Sequence, residues 1–454
     1  MTTQLQPVTT VDDAIEHIGL GRFQWRLLGI NGLVWATDAM EVLILGFAIP
    51  SLIVGLGISG VQAGYVGSVF FGGMLVGAWG FGVLADTFGR RRIFLITVLL
   101  DAVFGLLSAF SPNLLFLLVF RFLTGAAVGG TLPVDYAVMA EYLPSKVRGR
   151  FLVYLEAFWA LGTLLIALIA WGVVPALPES GWRWLFAISA LPGLLGFFLR
   201  LWVPESPRYL LLTGRKEEAK EVLQKVAHIN RVEVDIGDLQ AQKRTTTSTT
   251  AALFGGALRR RTLLFSVMWF GLSLGYYGIF AWLPRIFVEE GFAFVRGYGY
   301  LVLLALAQLP GYALSAYLLE RIGRRSTLAV FLFGSALASM MFALATSSAL
   351  IVGGSMLLSF SLLGAWGALY AYTPEAYPTE VRATGMGWAG AVARAAGIIA
   401  APLGGYLLTL SLPLALSVYA VSLAVAGGAA LLMRQDPAGK PLSDNLLEAT
   451  AGTD

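Results

Sequence analysis

The chain has 454 residues, 57% of them hydrophobic and only 13% charged, with a mean hydropathy of +0.76; an ordinary soluble domain carries about twice that charge. Lys and Arg number 31 against 27 Asp and Glu, and cysteine is absent, which excludes thiol catalysis, disulfides and Cys-ligated metal or iron–sulfur sites. The only histidines, His17 and His228, lie outside the long apolar runs, so a proton carrier within those runs must be a carboxylate.

A polar lead, residues 1–23, comes first. Its segment DDAIEHIGLGRFQWRLLG has apolar residues on one face and is predicted as a short juxtamembrane helix lying in the headgroup region. Apolar runs long enough to cross a bilayer as helix, roughly 20 residues, then follow at 24–53, 61–85, 92–110, 113–141, 150–174 and 182–203. The alternating pattern of a barrel is absent, so the spans must be helical. No cleavable leader pattern precedes the first run, which is expected to serve as a signal anchor. A linker at 204–260 contains a helical stretch from Glu217 to Ala227 and a low-complexity run from Thr245 to Thr250. Six further runs occupy 261–288, 297–321, 326–346, 349–373, 382–410 and 413–433, before a tail at 434–454. Turns after even-numbered runs carry the basic residues Arg90, Arg91, Arg92, Lys146, Arg148, Arg324 and Arg325, with Arg183, Arg285 and Arg296 as exceptions on the other side. The positive-inside rule then puts both termini and the linker in the cytoplasm of a plasma (inner) membrane protein.

The two sets of six are related. EYLPSKVRGR from Glu141 and EAYPTEVRAT from Glu375 share Glu-x-x-Pro-[Ser/Thr]-x-Val-Arg, and the Gly-Arg-Arg turns FGRRR and IGRRS each follow an acid, Asp86 and Glu320. Both pairs of acids stand 234 residues apart. One offset for two motifs indicates a duplicated six-helix unit, with a substrate site between the halves near mid-depth. The expected fold is an all-α membrane protein, twelve helices in two pseudo-symmetric bundles.

Charges inside hydrocarbon cost at least about 2.5 kcal/mol each, so every intramembrane charge is a functional candidate. Asp38 and Glu41 are three apart on span one, with Trp35 and Asn31 on the same side, and this stripe is expected to face the cavity. Arg394 and Gln308 are expected near mid-depth. Asp135 and Glu156, in adjacent spans at similar depth, are expected to oppose one another, which would favour a proton on one of them. Asp101 is expected as the structural partner of Arg121. Tyr276 and Tyr277 are expected to line an aromatic pocket, and Trp282 to join an outer aromatic belt. GLGISG from Gly55 and GLSLG from Gly271 imitate dinucleotide and nucleophile-elbow motifs but lie at or within membrane helices, and no Walker phosphate loop exists. The chain reads as no enzyme.

GVLADTFGRRR, with its repeat at the equivalent later loop, resembles the loop motif of the major facilitator superfamily. That resemblance implies a charge network that holds one conformational state, here carried by Asp86, Arg90, Glu141, Arg148, Glu205, Glu320, Arg324, Glu375 and Arg382. PESPRYLLLTGR looks like the signature of sugar porters and organic-ion transporters, and RFLTGAAVGG, from Arg121, resembles a span-four motif linked with proton coupling. Coupling and simple structural pairing remain open for Arg121. GRFQWRLLGINGLVWATDAMEV, GGTLPVDYAVMAEYLP, YLEAFWALGTLL, GYYGIFAWLP, AQLPGYALSAYLLERIGRR and ALYAYTPEAYPTEVRATGMGWAG are similar to bacterial niacin transporters, a group near the synaptic-vesicle glycoproteins and aromatic-acid symporters. The resemblance implies proton-coupled import of nicotinate or a similar aromatic monocarboxylate by alternating access; another organic ion, cation or aromatic acid, or a sugar is the alternative cargo. Substrate contacts are expected from Asn31, Trp35, Asp38, Glu41, Tyr136, Trp159, Tyr276, Tyr277, Gln308 and Arg394, and proton coupling from Asp38, Glu41, Arg121, Asp135 and Glu156. The expected partners are an organic solute, protons and lipid, with no cofactor, metal or nucleic acid and a monomeric state.

Overall fold

A computed structural model describes residues 10–88, 90–240, 250–256, 258–289, 294–377 and 381–433. The first half contains α1 (Val11–Ile18), α2 (Arg22–Leu56), α3 (Gly60–Phe88), α4 (Arg90–Ala109), α5 (Leu114–Glu141), α6 (Ser145–Val173) and α7 (Gly181–Arg200). The linker supplies α8 (Pro207–Leu212), α9 (Lys216–Asn230) and α10 (Thr250–Leu253). The second half contains α11 (Leu258–Phe280), α12 (Leu283–Glu289), α13 (Phe294–Arg321), α14 (Arg324–Ala343), α15 (Ser348–Ala376), α16 (Arg382–Leu410) and α17 (Leu412–Leu431). Among the described residues, twelve helices are long and apolar enough to cross a membrane.

Local chemistry sets the span ends. Asn113, Ser347 and Ser411 accept hydrogen bonds from the backbone N–H groups of Phe116, Leu350 and Leu414, capping α5, α15 and α17. Asn113 and Ser347 are again 234 residues apart, so the duplication extends to the caps. Gly323, in the second Gly-Arg-Arg turn, has φ +84, a conformation that glycine adopts without a Cβ penalty. Span seven departs from the continuous helix expected over 261–288: α11 ends at Phe280 and α12 begins at Leu283. Pro284, which has no N–H to give to the ladder of α11, sits in the first turn of the new helix.

Within each half the helices pack in matching pairs, α3 on α5 and α2 on α6 in the first, α13 on α15 and α11 on α16 in the second. Small residues make the α3–α5 crossing close. A Cβ on Gly77 would lie 1.9 Å from the Ala126 carbonyl oxygen, and one on Gly125 would lie 2.1 Å from that of Phe70. Between lipid-facing helices, such backbone approach supplies the van der Waals contact that a hydrophobic effect supplies in water.

The halves meet through α3 on α16 and α6 on α13. Their contacts run from mid-depth, where Trp159 Nε1 donates to the Tyr276 hydroxyl at 3.3 Å, to the face away from the linker. There Ser68 Oγ donates to the Ile398 carbonyl at 2.5 Å and the Tyr298 hydroxyl to that of Phe47 at 2.8 Å. This far face is closed.

On the linker face, α1 does not lie apart in a headgroup layer as expected. Its apolar side, Val11, Ala14, Ile15 and Ile18, is buried, and it packs on α9 of the linker. Asn230, at the end of α9, accepts from the Phe23 N–H at 2.9 Å and donates to Gln24 Oε1 at 2.8 Å, tying the linker to the start of α2. Arg208 pairs with Asp12. The apolar face that the sequence offered to lipid is taken by protein.

Candidate functional site

The polar stripe of α2 turns into the first half rather than wholly toward the space between the halves. Glu41 Oε2 is 2.6 Å from Arg121 Nη1 of α5, Arg121 Nη2 donates to the Glu41 carbonyl at 3.0 Å, and Ser189 Oγ of α7 donates to Glu41 Oε1 at 2.8 Å. The pair is buried, and the guanidinium lies over the rings of Phe70 and Phe186 at 4.7 and 4.9 Å. This corrects the expected partnership of Asp101 with Arg121: Glu41 holds that cation. Nearly three turns earlier, Asn31 accepts from Arg200 Nη1 at 2.6 Å and donates to the Asp135 carbonyl at 3.4 Å. Arg200, 1% exposed, stacks on Phe94 at 4.0 Å. Trp35 is buried in the apolar core of this half. Asn31 and Trp35 are thus packed into their own bundle, because α4, α5 and α7 supply the polar and aromatic partners that the stripe requires.

Asp135 and Glu156 do not oppose one another. Asp135 is fully buried with Arg200 as its charged neighbour, whereas Glu156 of α6 has Tyr277 and Tyr370 beside it.

Between the halves stands an aromatic wall. Tyr276, Tyr277 and Trp366 have ring centroids 5.2 to 6.3 Å apart, Tyr370 lies 5.7 Å from Trp366, and Phe71 of the first half lies 4.6 Å from Tyr277. Arg394 of α16 has Tyr277 and Tyr370 as neighbours, folds back beside Gly390, and its Nε makes no hydrogen bond. A cavity beside this wall is lined by Glu41, Phe70, Phe71, Arg121, Tyr277 and Phe280. The Glu41–Arg121 pair therefore reaches the space between the halves from one side, while Tyr277 carries the wall toward Arg394 on the other. Gln308 of α13 is completely buried and neither end of its amide is hydrogen-bonded. Trp282 is 1% exposed and donates to the Ala401 carbonyl at 2.9 Å. It closes the far face against α16 and joins no outer belt, because Gly404 and Gly405 leave room for its ring.

At the linker face, Arg324 grips Glu375 with two hydrogen bonds of 2.8 and 3.1 Å. Arg148 donates to the Leu143 carbonyl at 3.2 Å, and Glu320 is exposed. Glu205 accepts from the backbone N–H of Arg91 at 3.0 and 3.2 Å, an acidic cap on α4. Tyr142, whose phenol burial pushes up, stays a neutral donor to the Glu205 carbonyl at 2.8 Å. Glu141 is half-buried at the end of α5. The side chains of Asp86, Arg90, Tyr136 and Arg382 lie outside the described residues. Arg200, Ser189, Trp366 and Tyr370 are structural partners that the sequence reading did not select. Arg200 carried a signal, a charge three residues inside the end of an expected span; the others are ordinary residues of apolar helices.

A family model described as sugar (and other) transporter matches residues 28–434. The chain belongs to that family, within the major facilitator superfamily. It is 41% identical over 389 residues to the niacin transporter NiaP of Acinetobacter baylyi, covering 85% of this chain and 88% of that one. It is 37% identical over 415 residues to a candidate niacin/nicotinamide transporter NiaP of Bacillus subtilis, covering 91% and 96%. An inward-open structure of the xylose transporter XylE from E. coli superimposes with a TM-score of 0.74 at 16% identity, covering 94% and 99%. The protein is a multi-pass membrane transporter and not an enzyme.

Proposed function

We propose that the protein imports nicotinate, or a similar small aromatic monocarboxylate, together with protons. The observation that carries this reading is Arg394, a part-buried guanidinium set among tyrosines in the wall between the halves. A buried cation is costly unless something anionic compensates it. Among the described residues no carboxylate forms an ion pair with Arg394, and Glu41, which would otherwise be a candidate, is held by Arg121. A substrate carboxylate fits that vacancy bidentately, and Tyr277, Tyr370 and Trp366 offer faces on which a planar ring stacks. The likeness to the niacin transporter of Acinetobacter baylyi supports the same cargo.

Protons enter through the acids of α2. Arg121 and Glu41 stand at the cavity edge, so protonating Glu41 frees Arg121 and changes the charge that the cavity presents. Asp38 is the second acid on that stripe, and Glu156, beside the tyrosines, is the acid nearest the proposed cargo. The gating charges, with Arg324–Glu375 as the described pair, act at the linker face in this reading, and both termini lie in the cytoplasm.

The test is uptake of radiolabelled nicotinate into proteoliposomes, with and without an inward-acid pH gradient. Arg394→Lys keeps the charge but loses the planar fork, so nicotinate affinity is expected to fall at least about tenfold, the worth of one charge-assisted hydrogen bond. Nicotinamide, which carries no charge, should compete poorly with wild type and be little affected by the change. Equal competition by nicotinamide or an organic cation, with Arg394→Ala leaving nicotinate affinity intact, would sink the anion reading.

A further inference from the structure

The contact of α2, α4 and α7 has two tiers. In the first, Glu41 Oε1 accepts from Ser189 and lies where a Cβ on Gly105 would be 3.3 Å from it, so Glu41, Ser189 and Gly105 are level. The second tier follows from helix geometry. Asp38 is one turn before Glu41 on α2, and Asp101 is one turn before Gly105 on α4. These first- and third-spanning helices run in the same direction, so the two carboxylates are level with each other. The helix α7 runs the opposite way, and Gly193, one turn after Ser189, stands opposite this tier. A Cβ there would lie 3.6 Å from Asp101 Oδ2 and 3.5 Å from the Thr37 methyl.

The second tier is buried and acidic. Asp38 is 1% and Asp101 4% exposed, and neither Asp38 Oδ2 nor Asp101 Oδ1 has a hydrogen-bond partner. The charged groups facing them are few. On α2 itself stands Glu41, neutralised by Arg121 of α5. Asp135 of α5 has Arg200 of α7 as its cation, and Glu156 of α6 faces the tyrosines. Arg121, engaged by Glu41 at 2.6 Å, is a cation whose charge also reaches Asp101, yet among the described residues it forms an ion pair with neither aspartate; two neighbouring carboxylates in a low-dielectric site with so little positive charge to share cannot both ionise.

We infer that Asp38 and Asp101 share one proton, which makes Asp101 a second proton-binding residue beside the Glu41–Arg121 pair. One carboxylate takes a proton from water and becomes the acid, and its O–H donates to the other carboxylate; no electron moves. The role in transport rests on the proton-coupled reading above. Arg121, displaced from Glu41 toward Asp101 one turn away, ionises Asp101 and expels the shared proton, so two acids on neighbouring turns load and discharge in sequence.

The shared proton is tested by infrared difference spectroscopy of the purified full-length protein in lipid nanodiscs, acid minus alkaline, following the carbonyl stretch of protonated carboxyl groups. Asp38→Asn and Asp101→Asn should each remove the same band, Asp101→Glu should restore it at a shifted position, and Glu156→Gln should leave it in place. A band that survives in Asp101→Asn overturns the inference, as does one removed only by Glu156→Gln. This measurement needs no cargo. In proteoliposomes with radiolabelled nicotinate as the probe, Asp101→Asn should lower accumulation driven by a pH gradient at least about tenfold, the effect of losing one charge-assisted hydrogen bond. Wild-type accumulation in that variant overturns the transport role of Asp101. A wild-type protein that accumulates nothing under a pH gradient would instead refute the coupling reading, with the infrared band still deciding the shared proton.

Discussion

Arg121 and Arg394 are both guanidiniums within membrane helices, and their surroundings differ. Arg121 has an acid at 2.6 Å, a backbone carbonyl at 3.0 Å and two aromatic faces; Arg394 has tyrosines and an Nε with no acceptor. The first is a completed buried ion pair at the cavity edge; the second has no ion-pair partner among the described residues. Glu41→Gln leaves Arg121 buried with a weaker partner, and removing one member of a buried pair costs about 3 kcal/mol or more. The expected outcome is a clearly lower melting temperature of the purified protein, with much of it regained in Glu41→Gln/Arg121→Met, where no charge remains. A melting temperature equal to wild type in the single variant would show that the pair holds nothing. The sequence exposed every one of these charges, because a charge in an apolar run is conspicuous. It could not pair them, since Glu41 and Arg121 are 80 positions apart and Asp101 is an equally plausible partner by depth.

Among the elements, α9 carries the clearest consequence. Its last residue, Asn230, holds three groups of the segment that leads into α2: the Phe23 N–H, the Gln24 side chain and, at 3.4 Å, the Gly19 carbonyl. Gln24 in turn donates to the Tyr142 carbonyl at 3.1 Å, so the linker is tied to the ends of both α2 and α5. Asn230→Ala removes the side-chain acceptor for an N-terminal N–H of α2, a loss worth about 1 kcal/mol. The expected outcome is faster amide hydrogen exchange over residues 11–24 with little change across the spans. Unchanged exchange there would mean that α1 is held by its apolar side alone. The helical stretch of the linker was legible from its spacing and charge, yet its docking was not. An amphipathic helix presents the same face to a headgroup layer as to another helix, and only the buried Ala219, Leu223, Val226 and Ala227 of α9 show which surface α1 meets.

For the whole molecule, the closed far face is a property of the two halves together. Gly67 of α3 and Ala401 of α16 approach so closely that a Cβ on Gly67 would lie 3.5 Å from the Ala401 Cβ. That separation suits a disulfide, and the chain has no cysteine of its own to interfere. Gly67→Cys/Ala401→Cys is expected to cross-link under oxidant, to stop uptake, and to recover on reduction, because alternating access requires these helices to part. Cross-linking that left uptake unimpaired would show that the far face does not open during transport. The substituted Cβ at Gly67 also meets the end of the Leu45 side chain at 2.6 Å, which that flexible leucine relieves by changing rotamer.

The sequence by itself determined the twelve spans, the duplication and the family, because each rests on local or periodic information: run length against bilayer thickness, and motifs repeated at one offset. It also determined which residues are expensive enough to need a purpose. The tertiary structure alone decided which charges neutralise one another, which way the α2 stripe turns, and that Trp282 seals an interface instead of facing lipid. Those outcomes depend on helix rotation and on contacts between residues far apart in the chain. A span of uniform apolarity has almost no amphipathic signal to fix its rotation, so packing against its neighbours sets it.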